Sequence, residues 1–279
     1  MAQDRETFAA KRIADSLIAA SRVLPEPVYE AIAGAVPEGG KAESVMEAIR
    51  SNLRVASERS LPICQDTGAF WCLASIGRES RIPLSRVERI IEEGCLDAAE
   101  RGSYRRSIVS DPVYGRINTG TNLPAFISYE LMDGTGLELR FLMKGFGSEN
   151  CSSVRMLNPT AGEDGVLEAV ISMLRAAGGK PCPPVFLGVG IGGTMDRAAL
   201  LSKKAFFFDD PSYSHLAHRI IKAADDLMIG PGGLGGRPTA LGVSILSEPT
   251  HIAGLPVALT VNCWVERTAL IAFAEEELC

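Results

Sequence analysis

The sequence predicts an α/β fold: a mixed sheet with flanking helices and a helical amino-terminal region. Three patterns carry that prediction. Apolar residues recur at helical spacing through the first sixty residues, alternating apolar segments flank a turn in the middle, and strand–glycine–helix units fill the last third. With 279 residues, 46% of them hydrophobic and 22% charged, the chain has the composition of a globular protein. It is expected to form a single domain over 1–279, mainly helical over 1–60 and mixed α/β over 61–279.

The elements follow in order. Phe8, Ile13, Leu17 and Ala20 form a helical stripe that Pro25 and Pro27 punctuate; Val45, Ile49, Leu53 and Ala56 form another after Gly39-Gly40. Leu84–Arg101 is a third helix, with Val87, Ile90, Ile91 and Cys95 on one face. Phe126–Met132 and Leu137–Met143 flank Asp133-Gly-Thr-Gly136 and predict a β-hairpin with Leu137, Leu139, Phe141 and Met143 on a dry face. Val166–Ala177 is a helix that Gly178-Gly179 stop. Val185–Val189 is a buried strand, followed by glycines and helices over Thr194–Ala205 and Tyr213–Leu227. The apolar runs Leu241–Leu246 and Val257–Val261 lead to an expected terminal helix holding Ala269, Leu270, Ile271 and Phe273.

The balance of charge excludes some functions. Thirty-four acidic against 28 basic residues give a net charge of −6, which offers no footprint for nucleic acid. The charged amino terminus lacks the apolar core of a signal peptide, and no run is long enough to span a membrane, so a cytoplasmic protein is expected. Seven scattered cysteines in that compartment read as buried thiols, nucleophiles or metal ligands rather than disulfides.

Four polar islands interrupt this ordinary pattern. The first, Leu61-Pro-Ile-Cys-Gln-Asp-Thr-Gly68, sets a thiol, an amide and a carboxylate side by side; extended, Cys64 and Asp66 face one way and Gln65 the other. It reads either as an Asx-turn closed by Asp66 or as a metal-binding thiolate beside a proton-transfer carboxylate. The second, Lys144-Gly-Phe-Gly-Ser-Glu-Asn150, reads as an anion-cradling loop or a plain strand-to-loop turn. The third, Cys182 to Thr194, contains Gly188-x-Gly190-x-x-Gly193 between strand and helix, with Asp209 and Asp210 about 20 residues on, as a dinucleotide site requires. Those glycines serve helix–sheet packing equally well. The fourth comprises Gly230–Gly236, then His251, one of three histidines, and Cys263.

Taken together, Pro62–Gly68, Gly147-Ser-Glu-Asn150, Met156-Leu-Asn-Pro159, Gly188–Thr194, Gly230–Gly236 and Thr250–Val257 resemble the iron–sulfur hydro-lyases, the class I fumarate hydratases and L(+)-tartrate dehydratases, from about residue 10 to 270. The length is similar to that of the separate α subunit of the two-subunit forms. The resemblance implies the amino-terminal-domain fold of that family and a [4Fe–4S] cluster held by Cys64, Cys182 and Cys263. One iron would then lack a protein ligand and act on substrate as a Lewis acid. It implies Asp66 and His251 as catalytic residues, and Gln65, Arg105 and Gly147 as substrate contacts. It also implies a four-carbon dicarboxylate as substrate, fumarate first and L(+)-tartrate second, and a separate β subunit in an α₂β₂ complex. Cys72, Cys95, Cys151 and Cys279 match no ligand position. Phe146 stands where a third glycine is usual, and Asn262 and Trp264 flank Cys263 where Gln and His are often found; these departures bear on substrate. The readings from other classes are a dinucleotide-binding domain using Gly188–Gly193 and a cluster-containing interaction subunit without activity.

Overall fold

A computed structural model describes residues 2–279. The contacts within the chain gather into two compact units, each built around a four-stranded mixed sheet. The two units interleave in sequence.

The first unit comprises the residues up to Pro25, Leu53–Gly145 and Arg267–Cys279. Its strands are β1 (Ala69–Gly77), β2 (Phe126–Met132), β3 (Leu137–Lys144) and β8 (Arg267–Phe273), in the order β2-β1-β3-β8. Helices α1 (Ala2–Arg22) and α4 (Leu84–Arg101) cover one face, and α9 (Glu275–Leu278) ends the chain. The predicted dry face is present: Leu137, Leu139, Phe141 and Met143 are fully buried with Phe70, Cys72 and Ile90 in one core. Burial of such side chains stabilises by roughly 1.5–3 kcal/mol each. In α1, Ala9 rather than Phe8 joins Ile13 and Leu17 in that core; Phe8 lies outside, against the Arg12 guanidinium.

Two expectations are corrected here. β2 and β3 do not form a hairpin, because β1 lies between them, parallel to β2 and antiparallel to β3. The nine residues of β1 are all buried, and a strand dry on both faces belongs at a sheet's centre. The terminal segment is β8, not a helix: it pairs with β3, and Ile271 and Phe273 turn inward while Leu270 faces solvent. That is the period of a strand.

The second unit comprises Glu26–Asn52 and Phe146–Glu266. It holds α2 (Glu26–Gly34), the beginning of α3 (Ala42–Arg59), α5 (Phe146–Glu149), α6 (Gly162–Ala177), α7 (Met195–Lys204) and α8 (Ser214–Asp225). Its strands are β4 (Ser153–Leu157), β5 (Val185–Gly192), β6 (Ala240–Glu248) and β7 (Leu255–Asn262), in the order β4-β7-β5-β6. The β5–β6 pair is parallel, joined through α7 and α8; β7 runs antiparallel to β5 and to β4. Val170, Val185, Val189, Ile220, Ile245 and Val257 lie at the centre of its core.

The glycines of the third island explain how α7 reaches β5. A Cβ on Gly188 would stand 2.0 Å from the Ser202 carbonyl oxygen, and one on Gly190 2.1 Å from that of Ala198. Helix backbone therefore lies directly on strand backbone, and no side chain fits between them. Gly190→Ala is expected to cost at least 1–3 kcal/mol, the usual range for overpacking, as a fall in the denaturant midpoint at unchanged m-value.

Candidate active site

In the first unit, Ile63–Gly68 leads into β1, and three sets of bonds fix it. The Asp66 Oδ1 accepts the Gly68 amide at 3.1 Å, the Asx-turn expected of this segment. The Asn122 Nδ2 donates to the Gly68 carbonyl at 3.1 Å while its Oδ1 accepts the Ser107 amide at 3.0 Å. The Thr67 Oγ1 accepts the Arg105 amide at 3.0 Å. The folding of the Tyr104–Asn122 segment thus brings the Arg105 main chain beside the Cys64-Gln65-Asp66 loop.

Arg267 adds a fourth set. Only 1% exposed, its guanidinium donates Nε to the Met143 carbonyl at 3.2 Å and Nη1 to the Asp66 carbonyl at 3.0 Å. Both partners are neutral carbonyls. Burying a guanidinium without a carboxylate costs several kcal/mol, so the two bonds hold the loop to the end of β3 at a real expense. The Asp66 carboxylate in turn rests on backbone: a Cβ on Gly145 would stand 2.9 Å from its Oδ2. Sequence reading missed Thr67, Asn122, Gly145 and Arg267. Their signal was a polar or glycine residue among apolar strand ends, which becomes meaningful only once the ends meet.

In the second unit, Cys182 precedes β5 and Cys263 follows β7. Phe186 on β5 is the register partner of Asn262 on β7, so the two cysteines occupy the same end of the sheet. Cys182 has a left-handed backbone (φ 55°), a conformation that costs a non-glycine residue of order 1–3 kcal/mol and recurs at functional sites. The Gly232 amide donates to the Pro183 carbonyl at 2.7 Å, so the fourth island buttresses the Cys182 turn. Gly147 lies in the single helical turn α5, where a Cβ would come 3.7 Å from the Lys180 carbonyl oxygen. The second island is therefore a turn of helix rather than an open loop, and it lies against the Cys182 segment.

His251 is elsewhere. It sits on the β6–β7 connection, at the end of the sheet opposite to Cys182 and Cys263. Its Nδ1 accepts the Ala253 amide at 3.1 Å, which assigns the proton of the neutral ring to the exposed Nε2. Although only twelve residues separate His251 from Cys263 in sequence, all of β7 lies between them.

The cysteines divide by environment. Cys72 and Cys95 are buried, and burial, joined at Cys95 by the charges of Cys72 and Glu92, pushes their thiols far up, as for inert structural thiols. Cys64, Cys182 and Cys263 all retain exposure. Among the described residues no three His, Cys, Asp or Glu side chains already stand together as a metal site. Beside Cys263, the Asn262 Nδ2 is buried with no acceptor, an N–H donor available to a group bound there. Glu266, three residues on, has an equally orphaned Oε2, and burial raises its carboxyl from 4.5 to about 8.

The dinucleotide-like motif has other tasks. Gly188 and Gly190 face α7 within the strand. Asp196 occupies the first turn of α7, where a pyrophosphate would bind, and the Thr194 hydroxyl bonded to it holds its carboxyl below the usual range. Asp209 accepts the Ile245 amide and Asp210 the Ser212 amide and hydroxyl.

Comparison with known proteins agrees with this architecture. The family model described as "Fumarate hydratase (Fumerase)" matches residues 10–272. The chain is 36% identical over 262 residues to a Methanocaldococcus jannaschii protein named "Putative L(+)-tartrate dehydratase subunit alpha", covering 88% of this chain and 91% of that one. It is 30% identical over 226 residues to proteins of Escherichia coli and Shigella sonnei named L(+)-tartrate dehydratase subunit alpha, covering 77% of this chain and 74% of theirs. The chain belongs to the fumarate hydratase family and is a hydro-lyase. Among the described residues no helix is long and apolar enough to cross a membrane.

Two expectations follow. Gly145→Ala must displace the Asp66 carboxylate and is expected to lower kcat at least tenfold while leaving the circular dichroism spectrum unchanged. Glu266 binds its proton more tightly in the folded chain than in the unfolded one. Its contribution to stability is complete below pH 4.5 and is lost at up to about 1.4 kcal/mol per pH unit as pH rises toward about 8. Glu266→Gln is therefore expected to raise Tm at pH 7.5, by a margin that shrinks toward pH 4.5.

Proposed function

We propose that the chain is the α subunit of a [4Fe–4S] hydro-lyase that adds water to a four-carbon dicarboxylate, fumarate to L-malate, and that a separate β subunit completes its site. The observation that supports this most is the bonded frame around Ile63–Gly68, which invests a buried guanidinium in presenting Cys64, Gln65 and Asp66 beside Arg105. Cys64, Cys182 and Cys263 are the ligands in this reading. The donor set suits a cluster: three accessible thiols, which bind iron as thiolates, and the unspent Asn262 N–H, of the kind that bonds to cluster sulfur. Bound, the cluster supplies an iron with an open position that polarises the substrate hydroxyl and carboxylate.

The remaining work falls to this chain's own side chains. Arg105 offers a planar cationic fork for a substrate carboxylate, and Gln65 with the Gly147 amide orients the diacid. Asp66, held by its Asx-turn and by Gly145, relays or orients the proton exchanged at C3. His251 is left out of this division of work, because the whole of β7 stands between it and Cys263. Dehydration of L(+)-tartrate is the second reading, favoured by the names of the relatives. Assay of both substrates with the β subunit present separates the two.

Cys64→Ser, Cys182→Ser and Cys263→Ser are each expected to abolish the visible absorption of the anaerobically reconstituted protein and its activity, with Cys72→Ser retaining both. Retention of a full cluster by all three would refute the assignment. Asp66→Asn should keep the absorption and lose roughly 10²–10⁴-fold in kcat, and Arg105→Ala should chiefly raise KM.

A further inference from the structure

Four strands form the edges of the two sheets: β2 and β8 in the first unit, β4 and β6 in the second. An open edge presents unpaired N–H and C=O groups, and folded chains normally blunt it. Three of these edges are blunted. On β8 the Arg12 Nη2 donates to the Ala272 carbonyl at 3.0 Å. On β6 the Ile245 amide donates to the Asp209 Oδ1 at 2.9 Å, and the Ile245 carbonyl accepts the Asp210 amide at 3.0 Å. The short β4 carries the exposed Arg155 at its centre, a charge that deters pairing. β2 has none of these devices. Its sequence, Phe-Ile-Ser-Tyr-Glu-Leu-Met, holds no proline, lysine or arginine. Its one charged residue, Glu130, accepts the Ser75 hydroxyl of β1 at 2.7 Å.

The direction of the main chain along this edge is fixed. The Met132 carbonyl accepts the Arg78 amide at 2.9 Å, on the β1 side. Bonding groups alternate along a strand, so Ile127, Tyr129 and Leu131 turn their N–H and C=O away from β1. Their side chains share the face of Cys72, Ala74 and Ile76, their register partners in the core beneath α4. The Glu92 carboxylate accepts the Ala125 amide at 3.0 Å, and Glu88 accepts the Tyr129 hydroxyl at 3.2 Å. Helix α4 therefore runs antiparallel to β2, and Leu84, one turn before Glu88, stands toward the Leu131 end. Leu84 is 59% exposed, Leu131 62% and Tyr129 42%. An apolar row thus accompanies the unpaired main chain.

We infer that β2 pairs antiparallel with β2 of a second copy of this chain, across a two-fold axis at Tyr129, joining two four-stranded sheets into one. The register follows from the edge itself. Outward-turned residues must face outward-turned residues, so 127, 129 and 131 pair among themselves. Of the two-fold registers this allows, only the one centred on Tyr129 pairs all seven residues of β2. Ile127 then meets the partner's Leu131 on the α4 face, and the two Tyr129 rings meet at the axis. On the other face Phe126 meets the partner's Met132, and Ser128 meets the partner's Glu130. No like charges stand opposite each other, whereas a register centred on Glu130 would set two carboxylates face to face. The pairing satisfies the free main chain and covers the exposed row in one step. It depends on neither the cluster nor the β subunit.

Sedimentation of the full chain by itself tests the inference. The wild type should be a dimer at micromolar concentration. Leu131→Lys, at an exposed position, should raise the dissociation constant at least a hundredfold with an unchanged circular dichroism spectrum. The amides of Ile127, Tyr129 and Leu131 should resist hydrogen exchange in the wild type and exchange freely in Leu131→Lys. Tyr129→Cys places two thiols on the axis with Cα atoms about 5.5 Å apart, inside the roughly 4.4–6.8 Å that a disulfide spans. Mild oxidation should convert that variant to a covalent dimer that the wild type does not form. A monomeric wild type would overturn the inference, as would a dimer that Leu131→Lys leaves intact. Cross-linking of Tyr129→Cys no greater than that of the wild type would overturn it too. Loss of β-subunit binding in Leu131→Lys with α–α association unchanged would give this edge to the β subunit instead.

Discussion

A buried guanidinium with two carbonyls for partners holds the first unit's part of the site together. Arg267 begins β8, and its fork reaches the last turns of two other segments: Met143 at the end of β3 and Asp66 before β1. A buried cation resolved by neutral oxygens is a poor contribution to stability, and an apolar residue of the same size would fill the space at less cost. What the arginine provides is direction. Its planar geometry fixes two carbonyls relative to each other, and through them the loop that carries a thiol, an amide and a carboxylate. Asn122 performs the same service on the other side of the loop, joining Gly68 to Ser107 through one carboxamide.

The second unit solves its positioning problem with glycine rather than charge. Helix α7 lies on β5 because Gly188 and Gly190 offer no Cβ, and the turn before β5 is braced by the amide of Gly232. In both units backbone meets backbone at the places where functional groups are displayed. Close approach of this kind leaves little freedom for a loop to move, and preorganised polar groups are what a hydro-lyase needs against a charged substrate. The exposed Glu248–Gly254 tip follows the same rule, being bonded to Gly193 at its base and to itself at its end.

Much of this was legible from the residues in line. Local periodicity located α4, α6, α7, α8 and β5 to within a few residues, and the alternation of Leu137, Leu139, Phe141 and Met143 gave the inward face of β3. The Asx-turn at Asp66 was one of two readings of its segment. The failures share a cause. The β2–β3 hairpin was inferred from neighbours in sequence, but β1 inserts between them, because a strand buried on both faces outcompetes a local turn for the centre of the sheet. The terminal segment, apolar and alanine-rich, reads as helix until the open edge of β3 gives it a partner.

By itself the sequence determined the composition of the site: which residue types are present, the islands that carry them, and the family to which those islands belong. Such motifs are short and local, and their chemistry is written in residue identity. Only the tertiary structure decided which of them stand together. Arg267 and Asp66 are two hundred and one positions apart and share a hydrogen bond, while His251 and Cys263, twelve apart, lie at opposite ends of a strand. Separation along a chain does not measure separation in space: an eight-residue strand holds its ends about as far apart as a chain can, and a sheet brings remote strands within one hydrogen bond.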